Sequence, residues 1–202
     1  MNKYVTEFIG TFFLVIGAVF GGALGASLVL MVMVYAGGHI SGAHYNPAVT
    51  FAIWMRGKML RKDVLFYWIS QLLGAIAAAC LAVYFFGVEG NGECAIPADG
   101  MTTGIIAELL GTFVLAYVVL NVGTSKETAG NSFFGLAIAA SIMAMAYTIG
   151  KYSGAGYNPA VFVALGIQKT FCWDHWWIYL VGNFGGASLA AIVFSFCNPT
   201  DE

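Results

Sequence analysis

The chain has 202 residues, of which 60% are hydrophobic and only 9% charged, with a mean hydropathy of +0.83; soluble domains carry about 25% charged residues. That balance excludes an ordinary soluble globule. A formal net charge of −2, with no basic run longer than Arg61-Lys62, excludes the electrostatic footprint of a nucleic-acid binder.

At about 20 apolar residues per span, this length predicts an all-α membrane protein with roughly six crossings and no separate soluble domain. The apolar segments run over 4–20, 23–38, 64–86, 101–122, 132–149 and 175–197. The first follows Met1 to Lys3, and a second apolar run begins before any small-residue cleavage site, so it reads as a retained helix and not a signal peptide. It joins the second span almost directly, through Gly21-Gly22. Two further apolar pieces, 47–55 and 159–168, have about half the length needed to cross a ~30 Å core, which makes them candidate re-entrant half-helices. Trp173, Trp176 and Trp177 precede the last span, where amphipathic rings suit the headgroup region.

Basic residues set the orientation, because cytoplasmic loops retain Lys and Arg. With the N-terminus inside, Lys3, Arg56, Lys58, Arg61, Lys62 and Lys126 are cytoplasmic and only Lys151 and Lys169 are external. The connection at 87–100, with Glu89, Glu93 and Asp99 and no base, falls outside. Both termini are then cytoplasmic, as in a multi-pass protein of the cell membrane. The four cysteines show neither metal-ligand spacing nor a disulfide framework. Cys80 and Cys197 read as small buried hydrophobes within apolar segments, while Cys94 and Cys172 share the external side, so a bridge between them stays open. No metal or cofactor is called for.

The strongest signal is internal. Ser41 to Val49 and Ser153 to Val161 agree at eight of nine positions. The same offset pairs Tyr67, Gln71, Gly74 and Ala75 with Tyr179, Asn183, Gly186 and Ala187, and a slightly shorter one pairs Glu7-Phe-Ile-Gly-Thr-Phe12 with Glu108-Leu-Leu-Gly-Thr-Phe113. The chain is therefore read as one channel domain, 1–202, built from repeats at about 1–90 and 100–202. Three spans per copy is an odd number, so the second copy enters the membrane from the opposite face, and corresponding sites meet near the midplane.

Asn is a preferred helix cap, Pro suits the first helical position and Ala is the best helix former. Asn46-Pro47-Ala48 and Asn158-Pro159-Ala160 thus predict two helix starts. In an inverted pair their N-termini abut, and two positive dipole ends of about half a charge each face one constriction. A cation or migrating proton is repelled there, whereas a neutral solute with a lone pair meets donors. The two Asn side chains are expected to aim N–H groups at the passing molecule.

These segments, Gly38-His-Ile-Ser-Gly-Ala-His-Tyr-Asn-Pro-Ala-Val-Thr50 and its partner at 150–161, resemble the aquaporin (major intrinsic protein) family over essentially the whole chain, of bacterial type. Glu7-x-x-Gly-Thr-Phe, Gln71-x-x-Gly-Ala and Glu108-x-x-Gly-Thr-Phe also fall where that family has them. The resemblance implies a homotetramer with one pore per subunit, Glu7 and Glu108 bracing the re-entrant loops, and His44 near the pore. His39 and His44 flank the inner mouth, where a loop histidine with ordinary hydrogen bonds is as good a reading as a pH gate.

One departure bears on the substrate. Most members carry an Arg directly after the second Asn-Pro-Ala; here that residue is Val161, and spacing from the motifs places Ala26, Ala146 and Ala155 at the other selectivity-filter positions. Neither does Phe162-Val163 supply the Asp of glycerol-conducting members. Four small or apolar residues predict a wide, uncharged constriction that passes water with small neutral solutes such as glycerol or urea, unless Met143, Met145, Tyr147 or Phe162 refills it. A strict water channel and a secondary transporter are the rival readings. An enzyme is not expected, because no nucleophile, base and orienting group come together.

Overall fold

The computed structural model describes residues 1–88, 94–96 and 100–201. Glu89, Glu93 and Asp99, which the orientation reading used, lie outside the described residues. The fold is helical: α1 (Asn2–Ser41), α2 (Pro47–Met55), α3 (Arg61–Phe86), α4 (Met101–Thr124), α5 (Phe134–Ile149), α6 (Pro159–Ile167) and α7 (Trp176–Cys197). All five of the long helices are apolar enough to cross a membrane.

Helix α1 is two spans in one. At 40 residues it would be roughly 60 Å long if straight, twice the hydrocarbon core. It breaks at Gly22, whose φ of 56° and ψ of −149° suit only a residue without Cβ. The halves fold back on each other: a Cβ built on Gly17 would lie 2.7 Å from the Gly25 carbonyl oxygen, and one on Gly37 would meet Thr6. The two predicted spans are present, joined at the predicted glycines.

The short pieces are nine-residue helices, about 13 Å each at 1.5 Å per residue. Both begin as their sequence dictates. Asn46 and Asn158 are extended caps whose side-chain oxygens accept from the amides of Ala48 and Ala160 at 2.8 and 2.9 Å, with proline in the first turn.

Close helix packing uses small residues, as expected where lipid supplies no hydrophobic drive between spans. Gly74 of α3 lies against the backbone of Phe8 and Phe12, and Gly186 of α7 lies against Leu109 and Phe113 of α4, so the two repeats share one contact. Around the half-helices, Leu14, Leu30, Val49, Ala75, Leu115 and Ala187 form a continuous core. Large apolar side chains such as Leu65, Phe85 and Phe196 face outward, where the solvent is lipid. Cys80 and Cys197 belong to that outer face and are exposed, contrary to the buried placement expected from sequence. An apolar run does not distinguish a lipid-facing position from a core one. Cys94 and Cys172 form a disulfide with their Cα atoms 5.1 Å apart.

Candidate functional site

The loops that lead into α2 and α6 carry the same backbone distortion. Gly42, Ala43 and Tyr45 have positive φ values of 84°, 51° and 50°, and Gly154, Ala155 and Tyr157 have 85°, 59° and 45°. For non-glycine residues this conformation costs energy and persists only where surrounding contacts impose it. A buried glutamate imposes it in each repeat.

Glu7, on α1, accepts four hydrogen bonds: from Ser41 Oγ at 2.7 Å, the His44 amide at 2.9 Å, the Tyr45 amide at 2.7 Å and Gln71 Nε2 at 2.8 Å. Glu108, on α4, accepts from Ser153 Oγ at 2.6 Å, the Gly156 amide at 2.9 Å, the Tyr157 amide at 2.6 Å and Asn183 Nδ2 at 2.6 Å. Both glutamates are fully buried. Each turns the loop's otherwise orphaned amides toward one acceptor, which lets non-helical backbone exist at that depth.

Further pairs complete the scaffold. The Tyr67 and Tyr179 hydroxyls donate to the carbonyls of Ser41 and Ser153 at 2.7 and 2.6 Å. Tyr45 and Tyr157 thrust their rings back between the spans and donate to Met33 and Met145 carbonyls at 2.9 and 3.2 Å. Gly10 and Gly111 make this possible, because a Cβ on either would fall inside the corresponding tyrosine ring. The repeated Gly in Glu-x-x-Gly-Thr-Phe is thus a slot for the tyrosine that precedes Asn-Pro-Ala.

At the centre the two repeats are tied to each other. Asn46 Nδ2 donates to the Tyr157 carbonyl at 2.8 Å, and Asn158 Nδ2 donates to the Tyr45 carbonyl at 2.9 Å. Since each side-chain oxygen caps its own half-helix, only the second N–H of each amide remains for a passing molecule. The sequence reading aimed the N–H groups at the passing molecule; one of the two on each amide holds the opposite loop instead. Between the two asparagines lies a cavity of about 10 Å³, lined also by Leu14, Leu30, Val49, Ile138 and Ile142. That is on the order of the space one water needs.

A much larger cavity of about 740 Å³ opens on the side that the count of basic residues predicts to be inner, where His39, His44, Lys58 and the connection at 124–131 line it. His44 lines both cavities. Beside the loop that leads into α6, Ala18, Val19, Ala95, Gly154, Gln168 and Phe171 surround about 240 Å³. Of the positions that the sequence reading gives to the filter, Ala155 directly follows Gly154 of that lining. A Cβ built on Gly150 would sit 2.8 Å from Ala155 Cβ and 3.8 Å from Ala146 Cβ, so the structure brings those two alanines to one spot. Ala26 is half-buried against the core, and Val161 is buried within it. Of the bulky candidates to refill the space, Phe162 is buried and stacks on Tyr179 with ring centroids 4.7 Å apart, and Tyr147 is 70% exposed.

The sequence reading weighed Ser41 and Ser153 only as nucleophiles and gave no part to Tyr45 or Tyr157, although all four lie inside the repeated nine residues. Their occurrence in both copies was the available signal.

Comparison with known proteins agrees with this geometry. The family model described as "Major intrinsic protein" matches residues 1–194. The chain is 33% identical to Aquaporin NIP1-1 of Zea mays, over 100% of this chain and 77% of the relative. It is 34% identical to Aquaporin AqpM of Methanothermobacter thermautotrophicus, over 90% of this chain and 75% of the relative. Among solved structures, the aquaglyceroporin from Plasmodium falciparum shares the fold, with a TM-score of 0.78 at 20% identity, covering 98% of this chain and 97% of that one.

Proposed function

The chain belongs to the major intrinsic protein family, and from that membership we propose a passive pore for water together with small uncharged solutes of the size of glycerol or urea. That it is a multi-pass membrane channel and not an enzyme follows from the family; the breadth of solutes is our reading. The single observation that carries the pore is the reciprocal tie by which Asn46 holds the Tyr157 carbonyl and Asn158 holds the Tyr45 carbonyl. It sets two helix N-termini around a gap of about 10 Å³.

Each N-terminus carries about half a positive charge. An ion entering the gap would shed its water against that potential, while a neutral oxygen can accept the remaining N–H of each asparagine. A proton relay along a water chain is interrupted for the same reason, since the central water must point its oxygen at both amides. Glu7 and Glu108 act as braces that never touch the solute. His39 and His44 are assigned to the inner mouth, and the outer constriction to Ala26, Ala146, Ala155 and Val161, whose lack of charge favours neutral solutes over strict water selection. The functional unit is a single channel domain of two repeats, 1–90 and 100–202, assembled as a homotetramer in the cell membrane with both termini cytoplasmic.

Stopped-flow swelling of proteoliposomes tests this. Water, glycerol and urea are expected to enter without saturation, and an internal pH dye to stay silent. Swelling with water alone would instead establish a strict water channel, and saturable, gradient-coupled uptake would establish a transporter.

A further inference from the structure

The two repeats differ at one place next to the central asparagines, and the difference creates a polar side chain with nothing bonded to its lumen-facing atom. In the first repeat the half-helix carries Thr50, whose hydroxyl oxygen lies 3.0 Å from the Asn46 carbonyl oxygen, 2.9 Å from Gln71 Nε2 and 3.1 Å from His44 Nδ1. At the matching positions of the second repeat stand Phe162, Asn183 and Gly156, so that copy has no hydroxyl, a shorter amide that reaches only Glu108, and no imidazole.

A hydroxyl has one proton and two lone pairs, which fixes the roles around Thr50. Gln71 Nε2 must donate, because its other partner is the Glu7 carboxyl group at 2.8 Å. One lone pair of Thr50 is therefore taken. If the Thr50 proton goes to the Asn46 carbonyl, the second lone pair accepts from His44 Nδ1–H and all three contacts are bonds. If His44 Nδ1 were bare, the proton would have to turn to it, and two oxygens would face each other at 3.0 Å with no proton between them. Only one arrangement satisfies every neighbour, and it leaves Nε2 without a proton in the neutral ring.

The Nε2 edge lies beside Gly42 at the wall of the inner cavity. A Cβ on Gly42 would lie 3.1 Å from it, and Gly42 and His44 both line the inner cavity. On its far side the ring is held by Tyr67, with centroids 4.9 Å apart. Among the described residues Nε2 has no hydrogen-bond partner.

We infer that Thr50 and Gln71 are positioning residues that hold His44 in the Nδ1-protonated tautomer, so that Nε2 serves as a hydrogen-bond acceptor on the inner side of the pore. A molecule leaving the two asparagine donors then meets an acceptor for its own O–H or N–H within the same passage. The outer side, with Gly156 and Phe162 at the matching positions, has no such side chain. Polyols and amides, which carry several donors, gain more from this acceptor than water does. This transport consequence rests on the proposed pore; the tautomer does not.

The tautomer is read directly by long-range proton–nitrogen NMR of the full chain with labelled histidine, reconstituted in lipid. His44 is assigned by the signal missing from His44→Gln. The expected spectrum shows Nδ1 protonated and Nε2 bare in the wild type and in Thr50→Ser, and a shift toward Nε2–H in Thr50→Val. An Nε2-protonated wild type would overturn the inference without any variant having to fold, and so would a tautomer indifferent to Thr50→Val. In swelling assays Thr50→Val should lower glycerol entry relative to water by roughly fivefold, the weight of one ordinary hydrogen bond, and Thr50→Ser should restore it. An unchanged ratio alongside a switched tautomer would overturn the acceptor's part in conduction. A wild type that admits no solute at all would refute the wide pore and leave the tautomer standing.

Discussion

Arg56, at the end of the first half-helix, and Asp201, in the C-terminal segment, form a 3.0 Å ion pair across 145 residues of chain, with both side chains nearly buried. The guanidinium also lies 4.7 Å over the Phe194 ring. The other Asp201 oxygen accepts from the Lys126 amide at 3.1 Å, so one carboxylate clasps the half-helix to the connection that lines the inner cavity.

A bond from Ser125 foremost, then the Lys126 amide and the charge of Arg56, hold the Asp201 carboxyl below the usual carboxylate range. A lowered folded pKa gives stabilisation that is complete above the unfolded value of about 3.9 and is lost as pH falls through the folded value. The difference in melting temperature between wild type and Asp201→Asn should therefore stay constant from about pH 8 to pH 5 and shrink only below about pH 4. Thermal unfolding in detergent across that range checks it; a difference that varies near neutrality would point to another group.

Gly111→Ala forces a methyl into the Tyr157 ring, whereas Gly185→Ala places one 3.6 Å from Leu109 Cδ1, an ordinary contact. We expect the first to cost about 1–3 kcal/mol or more by overpacking and to lower water flux per folded channel, because the displaced tyrosine carries the Asn158 loop with it. The second should be near neutral. Equal melting temperatures for the two variants would contradict the slot assigned to Gly111.

Glu108→Gln replaces one acceptor oxygen by an amide that can only donate, facing donors already 2.6 to 2.9 Å away. Leaving buried donors unpaired should cost about 2–5 kcal/mol, with water permeability falling in proportion to lost folded channel. The exposed Glu127→Gln is the control. Full activity and stability of Glu108→Gln would remove the bracing role.

The Cys94–Cys172 bridge closes 78 residues of sequence. Chain entropy for such a loop gives about 4.5 kcal/mol, and insertion in a bilayer, which already restricts the unfolded chain, brings the contribution below that. Cys172→Ser should lower the melting temperature measurably, and adding reductant to the wild type should reproduce the shift while leaving the variant unchanged.

If the proposed filter holds, Val161→Arg adds a cation to the constriction assigned to Ala26, Ala146, Ala155 and Val161. Glycerol and urea entry should fall more than water entry. Equal loss of both in swelling assays would count against the assigned filter.

The half-helices and their asparagine caps were legible because each has a side-chain signature that the repeat doubles, whereas the bracing part of Glu7 and Glu108 came from the family resemblance. Asn46 and Asn158 gave their cap role through composition alone. Their second task could not be read in advance, since the acceptors are the backbone carbonyls of Tyr45 and Tyr157 and any residue has a carbonyl. Gly10 and Gly111 stood out as repeated letters, but the ring that needs the space arrives from more than thirty residues away. Cys80 and Cys197 were misplaced because hydropathy is satisfied equally by lipid and by core. The proposed outer constriction was the hardest to read, because Val161 and three alanines say only which side chains are missing.

Each brace closes within its own repeat. Glu7, Ser41, Tyr45 and Gln71 are all present once the first 71 residues exist, yet Asn46 must wait for a carbonyl 111 residues downstream. At a synthesis rate of about 5–20 residues per second that wait is roughly 5–20 seconds. Every partner of the first brace is therefore synthesised before the carbonyl that ties its amide, and the polar centre is complete only once the second half exists.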